Sequence, residues 1–348
     1  MHSLEPQFIN NLVFSETDIS TLKTIGEYKG KQELFFRQTP EVLETLRQVA
    51  MIESTESSNR IEGITASHKR IEGIVLKSTQ PRNRSEQEIA GYRDALNLIH
   101  ESNENMDFSE SIILQFHSML YRYMSNQSGG RWKNADNQIV DKNEKGEIIR
   151  VRFKPVSALH TPEYMNLLVK CYNENIELKE PLLIFPLTVF DFLCIHPFPD
   201  GNGRVARLLT LMFLYRFGYQ VGKYISIERI FEESKETYYE SLERSSQNWL
   251  ERKHDPFPWL NYFWGVLIRA YREFEERVKD VKKGKGSKTD QITKSVLKRI
   301  SPFSISDIES DCAGISRDMI RLILRKLRDE GKISLQGKGR SAKWIVRR

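Results

Sequence analysis

The sequence predicts a mostly α-helical protein whose main body carries one small β-hairpin and is followed by a smaller C-terminal domain. Apolar residues recur at helical spacing through most of residues 1–280. Two short β-like runs interrupt that pattern at 138–153, and a basic, glycine-containing stretch at 281–288 ends it. We therefore expect a helical domain at 1–280, a linker at 281–288 and a second domain at 289–348.

Three helices can be assigned from periodicity in the first half of the chain. Pro40–Arg60 carries apolar side chains at helical spacing and is followed by Gly63, a residue type that favours helix C-termini. Glu86–Glu101 and Ser109–Met124 show the same period. Ser109 is a suitable N-cap for the third helix.

A β-hairpin is predicted where the helical pattern breaks. The runs Gln138–Val140 and Ile148–Phe153 flank the turn-rich sequence Asp-Lys-Asn-Glu-Lys-Gly. Helical periodicity resumes near Thr161 and continues to about residue 280. The hairpin is thus an isolated β element within a helical domain.

The positive charge of the chain is concentrated at its C-terminal end. The whole chain has 53 Lys and Arg against 47 Asp and Glu. Residues 281–348 hold 18 against 7, a net charge of +11, which leaves 35 against 40, or −5, for the rest. The asymmetry favours an anionic partner such as nucleic acid, with a lysine-rich linker beside a solvated domain as the alternative.

The cysteines and the apolar runs exclude several protein classes. The three cysteines lie far apart and form no Cys-x-x-Cys, so we expect neither a disulfide framework nor a thiolate metal site. The longest apolar run, 208–215, is far shorter than the roughly 18 residues needed to cross a bilayer. The first residues lack the pattern of a signal peptide. These features predict a cytoplasmic protein without a membrane partner.

Residues 196–207 combine several groups that bind phosphates. A loop with two glycines around Asn202 opens an apolar helix, and such loops offer backbone N–H groups and a helix N-terminus to anions. Arg204 and Arg207 are three residues apart, so they are neighbours on the first turns of that helix. Guanidinium groups match phosphate oxygens well, which makes both arginines candidate phosphate ligands.

Two further residues of this stretch suit the chemistry of phosphate transfer. Asp200 is a hard oxygen ligand of the kind that Mg²⁺ takes beside a polyphosphate. His196 titrates near neutrality and can take a proton from a hydroxyl nucleophile. Each group alone is commonly structural, but together they point to phosphoryl or nucleotidyl transfer.

The sequence at 196–207, His-Pro-Phe-Pro-Asp-Gly-Asn-Gly-Arg-Val-Ala-Arg, resembles the signature of the Fic family. It fits His-Pro-Phe-x-Asp/Glu-Gly-Asn-Gly-Arg-x-x-Arg at every defined position. The resemblance implies a helical Fic core, ATP and Mg²⁺ as cofactors, and transfer of AMP to a Ser, Thr or Tyr hydroxyl of a protein, which can be the enzyme itself. It also implies that His196 is the general base and Asp200 the Mg²⁺ ligand.

The same resemblance assigns the phosphate ligands. Glycine backbone and an asparagine side chain would hold the α- and β-phosphates, and two arginines would hold the β- and γ-phosphates. The residues at these positions are Gly201, Asn202, Gly203, Arg204 and Arg207.

A second motif resembles the inhibitory helix of Fic proteins. Ser58-Asn-Arg-Ile-Glu62-Gly63 fits the pattern Ser/Thr-x-x-x-Glu-Gly/Asn, within a helix predicted at about 41–63. Four-residue spacing places Ser58 and Glu62 on one helix face. The resemblance implies that Glu62 pairs with Arg207 and blocks productive ATP binding. Two alternatives stay open: Glu62 as an ordinary surface residue, and Glu62 as a group that helps to remove AMP.

Two other regions of the main domain have counterparts in the family. The hairpin at 138–153 resembles the flap that holds the target segment by strand pairing, and an ordinary surface hairpin is the alternative. Tyr238 and Tyr239 resemble the region that contacts the nucleoside, where aromatic rings could stack on a purine. Core packing is the alternative for these tyrosines.

Residues 289–348 resemble a winged-helix domain. A short helix at 306–310 and an amphipathic helix at Arg317–Glu330 precede two strands at 332–335 and 342–346. Between the strands lies a basic, glycine-rich wing. The residues that could meet phosphates or bases are Arg317, Arg321, Lys338 and Arg340. Such a domain could bind DNA, or it could dock a protein or form a homodimer.

The sequence thus predicts a protein adenylyltransferase that is inhibited by its own Glu62. One alternative is a DNA-binding transcriptional regulator whose Fic domain senses a nucleotide without transferring it. Intact His196 favours the enzyme, because a sensor has no need of a general base. The other alternative is a Fic enzyme that transfers a different group, such as UMP, phosphate or phosphocholine.

Overall fold

The computed structural model describes residues 2–38, 40–102, 106–124, 129–142, 147–287, 289–299, 301–312, 315, 317–337 and 342–347. Most of these residues are helical, which confirms the predicted mostly α-helical fold. The chain divides into two compact units, Met1–Phe274 and Glu275–Arg348. None of the helices in the described ranges is long and apolar enough to cross a bilayer.

The elements follow one another along the chain as fifteen named helices and four strands in the described residues. They are α1 (Pro6–Ile9), α2 (Glu16–Gln38), α3 (Pro40–Ile61), α4 (His68–Lys77), α5 (Arg84–Ser102), α6 (Glu110–Leu120), β1 (Ile139–Lys142), β2 (Ile148–Phe153), α7 (Thr161–Ile176), α8 (Pro181–Ile195), α9 (Asn202–Arg216), α10 (Ile227–Glu233), α11 (Lys235–Ser246), α12 (Phe257–Ser287), α13 (Thr289–Leu297), α14 (Ile305–Asp311), α15 (Arg317–Asp329), β3 (Ile333–Gln336) and β4 (Lys343–Val346). A short 3-10 turn, Gln220–Lys223, follows α9.

The predicted helix ends agree with the structure where a capping residue marks them. Helix α3 is followed by Gly63 at φ +79°, and the N–H of Ile64 closes the end by donating to the carbonyl of Asn59 at 3.0 Å. Ser109 caps α6, because its hydroxyl accepts from the N–H of Ile112 at 3.4 Å. The C-terminal end of α6 was not marked by such a residue, and the helix stops at Leu120 rather than at Met124.

Helices α8 and α9 form the centre of the first unit. Nearly every side chain of α8 is buried, although Pro186 inside it cannot donate to the carbonyl of Leu182. The indole N–H of Trp264 donates to that carbonyl at 2.9 Å, and the indole of Trp259 donates to the carbonyl of Pro186 at 2.8 Å. These two tryptophans of α12 satisfy the backbone and let α8 stay buried up to the loop that follows it.

The predicted hairpin is present in the first unit. Strands β1 and β2 pair in antiparallel fashion, with Ile139 opposite Phe153 and Val140 opposite Val151. The tip, 143–146, lies outside the described residues. Ile148, Ile149 and Val151 are exposed on β2.

The second unit has its own apolar core, formed by α13, α14, α15 and the strands. Strands β3 and β4 pair in antiparallel fashion, and Phe303 bridges to Trp344 on β4. Ile320, Leu324 and Leu327 of α15 face the core. The winged-helix interpretation stays a prediction, and its basic residues Lys338 and Arg340 lie outside the described part of the chain.

The segment that the sequence assigns to a linker is helical in the structure. Helix α12 continues through residues 281–287. Along the chain, the boundary between the two compact units lies between residues 274 and 275 rather than at 280. The physical reason is that lysine has a high helix propensity, and that the two glycines of this stretch each disfavour a helix by only about 1 kcal/mol. The apolar periodicity of the sequence therefore ends near residue 280, whereas helix α12 continues to Ser287.

Gly91 of α5 permits the close crossing of α5 and α6, which predicts a sharp response to a methyl group. A Cβ at Gly91 would lie 2.5 Å from the carbonyl oxygens of Met119 and Leu120. We expect Gly91→Ala to lower the free energy of unfolding by about 1–3 kcal/mol, because the backbone of α6 must move. The measurement is the midpoint of urea-induced unfolding.

The matched control for this prediction is Gly265 in the middle of α12. A Cβ there would meet no atom within 4 Å among the described residues. We expect Gly265→Ala to leave stability unchanged or to raise it by about 0.5–1 kcal/mol, because alanine favours a helix. Equal effects of the two substitutions would contradict the close crossing.

Candidate active site

His196 stands at the end of the buried helix α8 and faces a cavity of about 420 Å³. It adopts the left-handed conformation, φ +51°, and its N–H donates to the carbonyl of Phe192 at 2.9 Å. Few residues other than glycine take this conformation, so the turn is strained. Because α8 is packed on all sides, the turn holds His196 in a fixed place.

The imidazole of His196 is neutral at pH 7. Its pKa is lowered to about 4, mainly by burial and also by the positive charge of Lys133. The hydrogen bond to the carbonyl of Leu193 and the charges of Glu62 and Asp200 oppose this shift of the pKa. Its Nδ1 lies 3.3 Å from the carbonyl oxygen of Leu193. A proton on Nδ1 suits this contact, and Nε2 then carries the free electron pair that a general base needs.

The loop after His196 is closed by Asn202. The side-chain amide of Asn202 donates to the carbonyl of Phe198 at 2.8 Å and accepts from the N–H of Phe198 at 2.9 Å. The first hydrogen bond of α9 runs from the N–H of Val205 to the carbonyl of Gly201 at 3.0 Å. The N–H groups of residues 202–204 therefore belong to the open first turn of a helix, where anions bind. The structure thus uses the Asn202 side chain to shape the loop, and its predicted contact with phosphate stays a prediction.

Arg207 is buried and is held by the end of α3. Its Nε donates to the hydroxyl of Ser58 at 2.8 Å, and its Nη2 donates to the carbonyl of Ser58 and to Oε1 of Glu62, both at 2.8 Å. Burial lowers the pKa of Arg207, but the carboxylate of Glu62, together with Tyr238 and Tyr92, raises it above its usual value. The ion pair implied by the motif at Ser58 and Glu62 is therefore present.

The carboxylate of Glu62 rests on the glycine loop. A Cβ added to Gly203 would collide with Oε1 of Glu62 and lie 3.2 Å from Nη1 of Arg207. Glu62 thus places a negative group beside the open first turn of α9 and against the guanidinium, where a phosphate would also find its donors. The side chain of Glu62 is 28% exposed, so it has a route into solvent.

Arg204 has a different environment from Arg207. It is fully buried, with Nη1 donating to Glu88 at 2.7 Å and Nη2 donating to the hydroxyl of Tyr121 at 3.0 Å. It does not line the cavity that contains His196. The predicted contact of Arg204 with phosphates stays a prediction, and Glu88 is a competing partner for it.

Asp200 lies at the exposed edge of the loop. Its side chain is 67% exposed, and Oδ1 accepts from the N–H of Gly201 at 2.7 Å. No group of three His, Cys, Asp or Glu side chains in the described ranges could hold a metal ion by itself. A single carboxylate fits a Mg²⁺ that takes its other ligands from phosphates and water.

The hairpin and helix α11 complete the walls of the cavity. Tyr238 is buried and Tyr239 half-buried, and both line it together with Phe153 and Arg152 of β2. Burial raises the pKa of both tyrosines, so both are neutral at pH 7. Glu243 of α11 forms ion pairs with the arginines of β2, which ties the hairpin to this helix.

The structure brings together most of the predicted site residues and adds several that the sequence did not reveal. His196, Gly203, Arg207 and Glu62 share one cavity with the predicted hairpin and the two tyrosines. The residues missed from the sequence contact the loop or the inhibitory helix from outside the motifs, and they are His117, Lys133, Asn137 and Lys235. The turn-rich composition of 129–137 gave no signal that its polar side chains would be used inside the fold.

Part of the chain is similar to known proteins. Residues 107–214 match the family model described as Fic/DOC family. The protein adenylyltransferase fic-1 of Caenorhabditis elegans is 27% identical over 151 residues, covering 42% of this chain and 27% of that protein. The protein adenylyltransferase Fic of Nematostella vectensis is 26% identical over 174 residues, covering 47% and 37% respectively. The matches therefore span less than two fifths of these curated relatives.

Solved structures show the same fold. A Fic family protein from Desulfovibrio desulfuricans superposes with a TM-score of 0.65 at 19% identity, covering 97% of both chains. A Fic domain containing signaling protein from Bacteroides thetaiotaomicron has a TM-score of 0.61 at 23% identity, covering 74% of this chain and 98% of that one. The signature at 196–207 thus lies within a Fic/DOC family domain, which residues 107–214 form.

Proposed function

We propose that this protein transfers AMP from ATP to a hydroxyl group of a protein, and that Glu62 restrains the reaction. The observation that carries the proposal is the 2.8 Å ion pair between Glu62 and Arg207, in the same cavity as His196 and Gly203. The carboxylate of Glu62 thus already lies against both the glycine loop and the buried guanidinium of Arg207. The names of the curated relatives favour AMP as the group transferred.

In the proposed reaction, Nε2 of His196 takes the proton of the target hydroxyl while its oxygen attacks the α-phosphorus of ATP. The bond from the α-phosphorus to the bridging oxygen breaks, and pyrophosphate leaves. His196 suits this role because it is unprotonated at pH 7. The negative charge of bound ATP would raise its proton affinity, as Glu62 and Asp200 do here.

The phosphates would take the place of the Glu62 carboxylate. The open N–H groups of residues 202–204 and the guanidinium of Arg207 are the donors available to them. Asp200 would hold a Mg²⁺, which when bound supplies positive charge to the phosphate oxygens. Glu62 competes with phosphate for Arg207, so its departure is the step that we propose to control activity.

The remaining walls suit the nucleoside and the target. Tyr238 and Tyr239 offer aromatic surface for a purine, and the cavity of about 420 Å³ is of the size that small ligands occupy. Among the described residues, β1 and β2 pair only with each other, so each strand has an outer edge to which an extended peptide could add. We therefore propose that the target protein docks as an added strand beside the cavity.

Substitution of Glu62 and His196 provides the test of this function. With ATP labelled at the α-phosphate, Mg²⁺ and cell lysate, we expect Glu62→Gly to raise the label on protein at least about tenfold, since it frees Arg207. Glu62→Gly/His196→Ala is expected to lose about 10²-fold or more of that signal, because a general base is removed. The readout is autoradiography of separated proteins.

The position of the label distinguishes the alternatives. Label from the γ-phosphate would indicate phosphate transfer, and a preference for another labelled nucleotide would indicate a different donor. Release of label from a modified protein would indicate AMP removal. Silence of Glu62→Gly with every donor would leave the nucleotide-sensing regulator as the better hypothesis.

The proposed metal ligand gives a second prediction. Asp200→Asn keeps an oxygen that can accept from Gly201 but loses the charge, so we expect thermal stability to stay within about 0.5 kcal/mol of the parent protein. In the Glu62→Gly background, we expect the Mg²⁺ concentration for half-maximal labelling to rise about tenfold or more. An unchanged Mg²⁺ requirement would show that Asp200 is not the ligand.

A second candidate function, DNA binding, is favoured by the outward face of α15. Arg321 and Arg325 are exposed there, one turn apart, on either side of Leu322, which is 63% exposed. A helix with this face matches the major groove, where arginine meets guanine or phosphate and an apolar side chain meets the thymine methyl group. This function would add to AMP transfer rather than replace it.

DNA binding predicts a strong dependence on salt. We expect the full chain to bind a fluorescein-labelled 30-base-pair duplex at 50 mM NaCl, measured by anisotropy, and to lose affinity steeply by 200 mM. Arg321→Ala and Arg325→Ala should each reduce the slope of log affinity against log salt by about one. Lys294→Ala on α13 is the control, and absence of binding at 50 mM NaCl would count against this function.

A further inference from the structure

The segment 129–137, between α6 and the hairpin, runs along the signature loop and binds its backbone. The N–H of Lys133 donates to the carbonyl of Pro197 at 2.8 Å. The ammonium group of Lys133 donates to the carbonyl of Ile195 at 3.1 Å. One residue thus grips the chain on both sides of His196.

Asn137 continues this contact along the loop. Its Nδ2 donates to the carbonyl of Phe198 at 3.0 Å and approaches the carbonyl of His196 at 3.4 Å. Its Oδ1 accepts from the ammonium group of Lys133 at 2.8 Å. Four consecutive carbonyls, those of residues 195–198, are therefore engaged by two residues from outside the signature.

His117 of α6 completes the support at the far end of the loop. Its Nδ1 accepts from the N–H of Gly130 at 2.9 Å, so Nε2 carries the proton and donates to the carbonyl of Asp200 at 3.1 Å. Its ring stacks on Phe198 with centroids 3.7 Å apart. The carbonyls of residues 195–198 and 200 thus all accept hydrogen bonds from residues outside the signature.

Lys133 brings a charge into this support. It is only 4% exposed, and burial lowers its pKa to about 8, against the opposing effect of Asp136. It is therefore mostly charged at pH 7. A neutral side chain could supply the same hydrogen bond to Ile195 at a lower desolvation cost. The hydrogen bond alone therefore does not explain why a charged side chain is buried here.

We propose that Lys133 is a positioning residue of the transfer site, whose ammonium group fixes the backbone that carries His196 and places a positive charge near its imidazole. The proposal rests on the proposed function of His196 as the general base. Lys133 acts through His196 and the loop, and no contact of Lys133 with the substrate is required.

The charges around His196 fix the sign of the expected effect. Burial, the largest effect, and Lys133 lower the pKa of His196, whereas the hydrogen bond to the carbonyl of Leu193 and the two carboxylates of Glu62 and Asp200 raise it. Without the charge of Lys133, one of the two lowering effects is lost, so the pKa of His196 should rise from about 4 while burial still holds it below its usual 6.5. The acid limb of activity, which requires neutral His196, should then move to higher pH.

The first test measures His196 itself and needs no substrate. The imidazole of His196 is titrated by NMR in the wild type, Lys133→Met and Lys133→Arg, with His196→Ala for assignment. We expect the pKa of His196 to rise in Lys133→Met and to keep its low value in Lys133→Arg. Arg131→Met, an exposed cation two residues away, is the matched control and should leave the pKa unchanged.

The second test separates positioning from general stability. In the Glu62→Gly background with α-labelled ATP, we expect Lys133→Met to raise KM for ATP about tenfold, because the loop loses a charged hydrogen-bond donor. The acid limb of kcat/KM should move to higher pH, in the same direction as the NMR titration, and Lys133→Arg should restore both KM and the acid limb. If Lys133→Met does not fold, Lys133→Gln removes the charge and keeps one N–H for Ile195.

The outcomes distinguish the two proposals. A silent Glu62→Gly parent would overturn AMP transfer, while the NMR titration would still report on Lys133. An active parent with the same His196 titration and the same KM in Lys133→Met would overturn the positioning role. Loss of activity in Lys133→Met with no shift of either acid limb or NMR titration would likewise overturn it, since a merely structural role predicts that result.

Discussion

The buried guanidinium of Arg207 is the constraint on which the site depends. A cation removed from water requires an anion beside it, and the protein provides Glu62 at 2.8 Å together with two oxygens of Ser58. Because the pair lies against the glycine loop, the proposed inhibition and the proposed phosphate binding would use the same cation. Relief of inhibition would then be an exchange of one anion for another, in which Ser58 keeps its contacts with the guanidinium.

Helix α11 connects the parts of the site that must change together. The ammonium group of Lys235 donates to the carbonyl of Ile61 at 2.9 Å and so binds the end of helix α3, which carries Ser58. Tyr239, one turn later, lines the cavity, and Glu243 binds the arginines of the hairpin. Displacement of α3, binding of a nucleotide and docking of a target would therefore each change contacts of the same short helix, α11.

Sequence reasoning succeeded where the determinant is local. Periodicity and caps located α3, α5 and α6, turn residues located the hairpin, and a contiguous motif located the loop. It did not reveal pairs between distant residues, such as Lys133 with Ile195 or Arg204 with Glu88, because no local pattern marks them. It also ended the domain at 280, since composition suggested a linker where α12 continues.

The two signature arginines differ in the carboxylate that each would leave unpaired if it moved to a phosphate. Arg204 and Glu88 are both buried, so moving Arg204 to a phosphate would leave a carboxylate uncompensated in the core, at a cost of about 3–5 kcal/mol. Arg207 pairs with Glu62, whose side chain is 28% exposed and can regain water when it leaves. Arg207 can therefore exchange its partner and Arg204 cannot do so cheaply, although the two stand three residues apart on one helix.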